Sequence, residues 1–256
     1  MKRALLIIAI AVCVLTACVS AYFLIDYYRG ARESEDAFER LRPPVSEAGQ
    51  IPLYSDALPS YMALKEQNGD FSGWLYIVQA GVNYPVMHTP GDQDYYLRRD
   101  FEKGYSEAGT LFAGEPSDPL RPSDVVLIYG HNMNSGTMFG KLDILARPEY
   151  LEKDGLIVFD TLEGRSTYRL VGLAKVKVDD RGHGDYEYYL YGDFSDESDY
   201  NDFIENFKKR EIAASGTAPA YGDKFLMLST CEYSQENGRL VALAVRDGIE
   251  YAAPME

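Results

Sequence analysis

The sequence predicts a mainly β domain, a barrel or sandwich, carried behind a single N-terminal membrane helix. Three observations lead there. From about Tyr61 onward, short apolar runs are separated by Gly, Asp, Asn and Pro clusters, the pattern of short strands joined by turns. One stretch alone, Glu197 to Ala214, carries a helical apolar repeat. The longest uncharged run stands at the N-terminus, which excludes a multi-span membrane protein. With 256 residues, 46% hydrophobic and 25% charged, the chain has material for one core plus an appendage and is neither disordered nor collagen-like.

Taken in order, the first element is Ala4 to Ile25, 22 residues without a charge. As a helix it extends about 33 Å, enough to cross a bilayer core. Lys2 and Arg3 precede it, so the positive-inside tendency keeps the N-terminus in the cytoplasm and places the remainder outside the cell membrane. Leu15-Thr16-Ala17-Cys18 resembles a lipoprotein cleavage box, with Cys18 as the lipidation site. The apolar continuation Val19 to Ile25 favours an uncleaved, single-pass anchor instead. Asp26 to Arg42 turns abruptly charged and reads as a helical stalk that Pro43-Pro44 ends. Val45 to Ser60, with Pro52 and Pro59, reads as a loosely structured lead-in. The expected organisation is a cytoplasmic tip and anchor over 1–25, a partly helical stalk and linker over 26–60 and a catalytic domain over 61–256.

In the globular part the strand-like runs are Gly73 to Val78, Val125 to Tyr129, Gly155 to Phe159, Tyr168 to Val178, Phe225 to Ser229 and Leu240 to Val245. Between the fourth and fifth of these, Tyr200, Phe203, Ile204 and Phe207 fall at i, i+3, i+4 and i+7 within the helix expected over 197–214. Ser195 or Asp196 supplies its N-cap, and Lys208-Lys209-Arg210 suit its C-terminal dipole.

Charge narrows the function. Lys+Arg number 25 against Asp+Glu 40, a net −15, and because Lys2 and Arg3 precede the first acid the globular part is more acidic still. Such a field repels phosphates, which excludes a nucleic-acid partner. Cys13 and Cys18 lie in the apolar run, leaving Cys231 as the single ectodomain thiol, so an internal disulfide framework is impossible there. Outside the membrane run no two histidines or cysteines stand at ligand spacing, and no phosphate-binding loop occurs, so neither a metal nor another cofactor is expected.

Cys231 ends the apolar run Phe225 to Thr230, where the chain leaves the sheet. By itself such a cysteine reads as a small buried hydrophobe more often than as a nucleophile. The loop Glu232 to Gly238, closing on the turn pair Asn237-Gly238, brings Arg239 back beside it, whereas Arg246 sits too far along the strand. A histidine partner is available in His131, His88 or His183, and composition does not choose among them.

Leu228-Ser229-Thr230-Cys231, the downstream Arg239, and Tyr129-Gly130-His131-Asn132-Met133 with Gly136 to Leu142 together resemble the sortases, specifically class B. Gly73-Trp74-Leu75, Asn83 to Met87, Asp94 to Leu97 and Gly109 to Phe112 extend the resemblance over most of residues 70–246. It implies an eight-stranded sortase-type barrel with N-terminal helices and a long helix between strands six and seven. It also implies a cysteine transpeptidase of a Gram-positive-type envelope, with Cys231 as nucleophile, His131 as general acid and base, and Arg239 stabilising the oxyanion. The thiolate attacks the carbonyl of a Thr in a C-terminal sorting signal of a surface protein, and an amine from a peptidoglycan precursor or a pilin releases the acyl group. Substrate contacts map to Leu97, Tyr129, Ser229, Thr230 and Glu232. Gln93 replaces the Asn that class B members commonly carry four residues before the Leu97 position. A catalytically silent peptide-binding module of the same fold, built on the tyrosines Tyr186, Tyr188, Tyr189 and Tyr191, and a purely hydrolytic cysteine peptidase are the competing readings.

Reference pKa values of about 8.5 and 6.5 make an uncoupled Cys–His pair thiolate about 3% and imidazolium about 24% of the time at pH 7, and both together roughly 0.7%. Reaching that state costs about 3 kcal/mol, which an enzyme can bear.

Overall fold

The computed structural model describes residues 2–44, 51–115, 117–121, 123–151, 156–178, 186–234 and 237–251. His183 lies outside them. Nine strands follow in chain order: β1 (Phe71–Ile77), β2 (Val82–Met87), β3 (Leu111–Ala113), β4 (Val125–Tyr129), β5 (Leu156–Asp160), β6 (Gly164–Lys177), β7 (Glu211–Ala214), β8 (Phe225–Glu232) and β9 (Gly238–Tyr251). Four helices join them: α1 (Lys2–Leu41), α2 (Tyr54–Gln67), α3 (Pro148–Leu151) and α4 (Glu197–Lys208).

Neighbouring strands run β5-β1-β2-β3-β4-β8-β9-β6, and β6 pairs back onto β5 to close an eight-stranded barrel. Two pairs, β2–β3 and β4–β8, are parallel. The 14-residue β6 makes closure possible: β9 takes one edge along its whole length, while the other edge pairs with β5 over Arg165–Arg169 and then with β7 over Gly172–Ala174. Gly172 is required where β7 docks, since a Cβ there would meet Glu211 Oε1 at 2.4 Å and Ala213 O at 2.5 Å. The short β7 therefore adds an outer flap and leaves the barrel count at eight.

The barrel interior is filled by Leu75, Ile77, Val86, Leu111, Ile128, Phe159, Leu170, Leu226 and Leu228. Helices α1, α2 and α4 pack on its outside. Phe203 and Phe207 of α4 are fully buried against Val125, Phe225, Met227 and Val241, each burial worth about 1.5–3 kcal/mol. Strand β8 is thus apolar on both faces, which is why its sequence is a continuous apolar run rather than an alternation. The tyrosines Tyr186 and Tyr188 belong to this same packed layer.

Helix α4 is capped by Asp196, whose Oδ1 accepts from the Asp199 N–H at 3.0 Å, but it stops at Lys208 instead of reaching 214. The apolar stripe ends at Phe207, because the next core-facing positions are Arg210 and Glu211. Residues 211–214 gain more by pairing with β6.

The expected loose lead-in also needs correction, since α2 begins at Tyr54 and runs through Pro59. Tyr54, Ala57, Tyr61 and Leu64 form a buried stripe against Phe71, Trp74 and Phe112. That burial, and the hydrogen bond from the Tyr54 hydroxyl to the Thr161 carbonyl at 2.8 Å, offset the donor that Pro59 lacks.

Helix α1 continues without a break from the apolar segment into the charged one. Its first part is long and apolar enough to cross a membrane, and its second part packs on the barrel. Phe38 is 1% exposed against Tyr84, and Glu35 accepts from the Tyr84 hydroxyl at 2.7 Å while pairing with Arg42.

Candidate active site

Strand register builds the site. In the antiparallel β8–β9 ladder, Cys231 stands directly opposite Arg239, with Thr230 opposite Leu240 and Glu232 opposite Gly238. Asn237, at φ +54°, makes the return into β9, a left-handed conformation that asparagine accepts readily. Burial relaxes where the ladder ends: Ser229 and Thr230 are buried, while Cys231, a free thiol, and Arg239 are half-buried.

His131 is delivered by β4. The parallel β4–β8 pairing ends at Tyr129 beside Ser229, and the Gly130 N–H then donates to the Ser229 carbonyl at 3.2 Å. Position 130 must be glycine, because a Cβ would meet Leu111 at 2.4 Å and Phe139 at 2.7 Å. The chain turns there and projects His131 into the cleft that Cys231 and Arg239 line. His131 Nε2 lies 2.7 Å from the Leu97 carbonyl, which can only accept, so Nε2 carries the proton and Nδ1 is left as the basic atom of the neutral ring. On the backbone side, the His131 carbonyl accepts from the Phe139 N–H at 3.0 Å.

Burial holds the His131 pKa below its ordinary value. The Leu97 carbonyl and the Glu107 carboxylate oppose that shift, and the Arg98 guanidinium reinforces it. At neutral pH the ring is thus mostly uncharged.

The cleft has a volume of about 400 Å³. Of the sequence-proposed residues it gathers Gln93, Leu97, Tyr129, His131, Ser229, Thr230, Cys231 and Arg239. Ser229 is fully buried and its hydroxyl is engaged with that of Tyr188 at 2.9 Å. The Thr230 Oγ1 is buried with no protein hydrogen-bond partner among the described residues. The side-chain oxygen of Gln93 accepts from the Glu115 N–H at 3.0 Å. Tyr129 is held well above its ordinary pKa by burial and stays neutral.

Glu232 falls outside this cleft and lines an adjoining one. Burial opposes its ionisation, but the Lys175 ammonium at 2.9 Å and Ser234 outweigh that and lower its pKa. His88 is likewise elsewhere, with Nδ1 3.7 Å from Asp118, and burial lowers its pKa. Arg246 stands opposite Tyr168 within the β6–β9 ladder, away from the Gly238 end that carries Arg239.

One contributor escapes sequence reasoning. Asn132 Nδ2 donates to the Cys231 carbonyl at 2.7 Å and ties the β4 loop to the thiol-bearing residue. Of the four tyrosines singled out in the sequence, Tyr188 and Tyr189 line the cleft. Asn132 stands far from Cys231 in sequence, although it adjoins a candidate histidine.

Comparison with known proteins agrees with this geometry. The sortase domain family model matches residues 75–247. Sortase B of Staphylococcus aureus (strain NCTC 8325 / PS 47) is 26% identical over 246 residues, 95% of this chain and 97% of that protein. Sortase B of Listeria monocytogenes serovar 1/2a is 30% identical over 185 residues, 70% of each chain. Among solved structures, a Staphylococcus aureus sortase B–substrate complex superposes with a TM-score of 0.64 at 27% identity, covering 76% of this chain and 86% of that one. The closed eight-stranded barrel, the single thiol beyond the apolar N-terminal segment registered against an arginine, and these matches establish that the chain belongs to the sortase family, class B, and is a cysteine transpeptidase.

Proposed function

We propose that this protein is a membrane-anchored sortase that cleaves a C-terminal sorting signal after Thr and transfers the acyl group to an amine of a cell-wall precursor or pilin. Its catalytic domain lies outside the cell, held by the apolar part of α1. The observation that carries the reading is the convergence of three chain segments on one cleft: Cys231 from β8, Arg239 opposite it on β9, and His131 from the end of β4.

The roles follow from the chemistry of each group. Cys231, as thiolate, forms a bond from Sγ to the Thr carbonyl carbon, and the carbonyl π electrons move onto oxygen. Arg239 keeps its charge at any working pH and donates to that oxyanion. When the oxyanion collapses, the scissile C–N bond breaks and the departing amine takes a proton from the His131 imidazolium. The thioester is then attacked by the acceptor amine, whose surplus proton returns to His131 as Sγ leaves. The Leu97 carbonyl holds the ring at Nε2, so these proton transfers pass through Nδ1.

The sorting signal occupies the cleft between Leu97, Tyr129, Thr230 and Gln93, with buried Ser229 supporting the wall through Tyr188. The unpartnered Thr230 hydroxyl supports this reading, since a bound carbonyl would satisfy it.

A library of fluorogenic peptides, each with a Thr before the quenched segment, tests the proposal. Cleavage by the full chain that is abolished in Cys231→Ala and converted to ligation by an added amine supports it. Fluorescence release that persists in Cys231→Ala contradicts it.

A further inference from the structure

Helix α1 stays in contact with the barrel up to the end of its apolar segment. There Leu24, Ile25 and Tyr28 line a cleft of about 610 Å³ that Ser135 and Thr137, from the loop following β4, close on the barrel side. The barrel therefore reaches the last turn of the uncharged run Ala4 to Ile25. With that run in a bilayer, the cleft stands at the outer headgroup layer, where Tyr22, Phe23, Tyr27 and Tyr28 supply the aromatic girdle usual at such a boundary.

The cleft changes character along the helix. At its apolar end Leu24, Ile25 and Tyr28 are 58%, 61% and 50% exposed, apolar surface that nothing in the domain covers. Beyond them Arg29 and Arg32 line the same cleft, four and seven residues past Ile25 and so on one helical face with it. At roughly 1.5 Å per residue they lie about 6 and 10 Å further along the axis, and helical side chains lean back toward the N-terminus, here toward the membrane. A headgroup layer about 5–7 Å deep puts both guanidiniums within its reach.

These cations are available to a ligand. Arg32 has no acid within ion-pair distance among the described residues, and Arg29 meets only Glu33 at 4.0 Å, with both side chains 74% exposed and the pairing correspondingly weak. Glu35 also lines the cleft, but its carboxylate is taken by Arg42 and by the Tyr84 hydroxyl. The Ser135 and Thr137 hydroxyls share one hydrogen bond at 2.9 Å, which leaves one of their two protons to donate outward. Asp26, Asp100 and Glu107 line a separate groove on the other flank of α1.

We infer that this cleft binds an anionic phospholipid of the outer leaflet. Its phosphodiester sits between Arg29 and Arg32 and accepts from a hydroxyl of Ser135 or Thr137, and the start of an acyl chain lies along Leu24, Ile25 and Tyr28. A free phosphate leaves the apolar end unfilled. Because Ser135 and Thr137 belong to the loop that also carries His131, the bound lipid ties that loop to the membrane surface.

The assignment rests on the reading of α1 as a membrane anchor, and the experiment separates the two. Full-length protein, delipidated in a neutral detergent, is titrated with phosphatidylglycerol or with phosphatidylcholine of the same chains, and bound lipid is counted by native mass spectrometry. The expected result is one phosphatidylglycerol held at least fivefold more tightly than phosphatidylcholine. Arg29→Gln with Arg32→Gln should weaken it about 25-fold, at roughly fivefold per arginine near a headgroup. Ser135→Ala with Thr137→Ala should weaken it about threefold, the scale of one neutral hydrogen bond. Arg40→Gln, an exposed arginine of α1 outside the cleft, controls for net charge and should leave the affinity unchanged. Equal affinity for the two lipids, or a loss in Arg40→Gln as large as in the double arginine variant, overturns the site. Displacement of the lipid by an equal concentration of glycerol phosphate overturns it in favour of a free phosphate. Release of the full-length protein from cell membranes by alkaline carbonate overturns the anchor reading instead.

Discussion

Cys231 and Arg239 are direct cross-strand partners at the open end of the β8–β9 ladder, so the guanidinium is positioned beside the thiol by backbone register and not by a flexible loop. Positioning of this kind predicts that the charge cannot be supplied in another shape. Arg239→Ala should lower kcat/KM about 10²- to 10³-fold, the usual effect of removing one oxyanion donor. Arg239→Lys should recover little of that, because an ammonium lacks the planar fork. Steady-state kinetics checks this, with alkylation of Cys231 by a small reagent showing that the thiol remains accessible.

His131 governs the acid limb of the pH profile. In the proposed mechanism catalysis needs thiolate and imidazolium together, a state found only while the pair holds one proton in total. Protonating the neutral pair at low pH removes it, so kcat/KM should rise as pH passes the His131 pKa. Burial and Arg98 lower that pKa, which places the midpoint of the rise below the ordinary histidine value. Arg98 and Glu107 form an ion pair, so removing either leaves the other to act alone. Arg98→Ala should move the limb to higher pH and Glu107→Gln to lower pH. Shifts in the same direction for both variants would contradict this account.

The charged half of α1 is part of the folded domain. Phe38 is buried against Tyr84 beside the Glu35–Arg42 pair. Phe38→Ala should cost about 3–5 kcal/mol of stability, the range for an aromatic deleted from a core. Urea denaturation of a 26–256 fragment with and without the substitution measures it.

A second stability site lies far from the chemistry. Asp160 is fully buried and accepts from Tyr61 Oη and from Arg165 Nε and Nη2, each at 2.7 Å, stapling α2 to the β5–β6 edge. Burial and Asp160 push the Tyr61 pKa far up, so its hydroxyl stays a donor. Asp160→Ala should destabilise by about 3–5 kcal/mol, because it leaves the Arg165 charge unpaired. At a temperature where the variant is folded, kcat/KM should match the parent.

How much of this was legible in the sequence depended on range. The Cys231–Arg239 proximity was readable because Asn237-Gly238 marks the turn and fixes a local hairpin. The choice of His131 over His88 was not readable from composition. It depends on the parallel β4–β8 pairing, a contact between segments about a hundred residues apart that leaves no local trace. The resemblance in Tyr129 to Met133 supplied it instead. The barrel was foreshadowed by short apolar runs, but β7 and β3 are too short to announce themselves. Pro59 hid α2, whose stripe of Tyr54, Ala57, Tyr61 and Leu64 is visible only once the proline is allowed inside a helix held by tertiary packing. The resemblance groups Glu232 with the substrate contacts, yet it lines the adjoining cleft, where it pairs with Lys175.

The most direct test of the central claim is the intact mass of the protein after brief incubation with a Thr-containing sorting-signal peptide, followed by acid quench and fragment mapping. The account predicts a mass increase equal to the peptide up to and including its Thr, located on Cys231, sensitive to hydroxylamine, and lost on adding an amine as the ligated product appears. A cleaved peptide with no adduct on Cys231 under any quench condition, or an adduct on another residue, would contradict it.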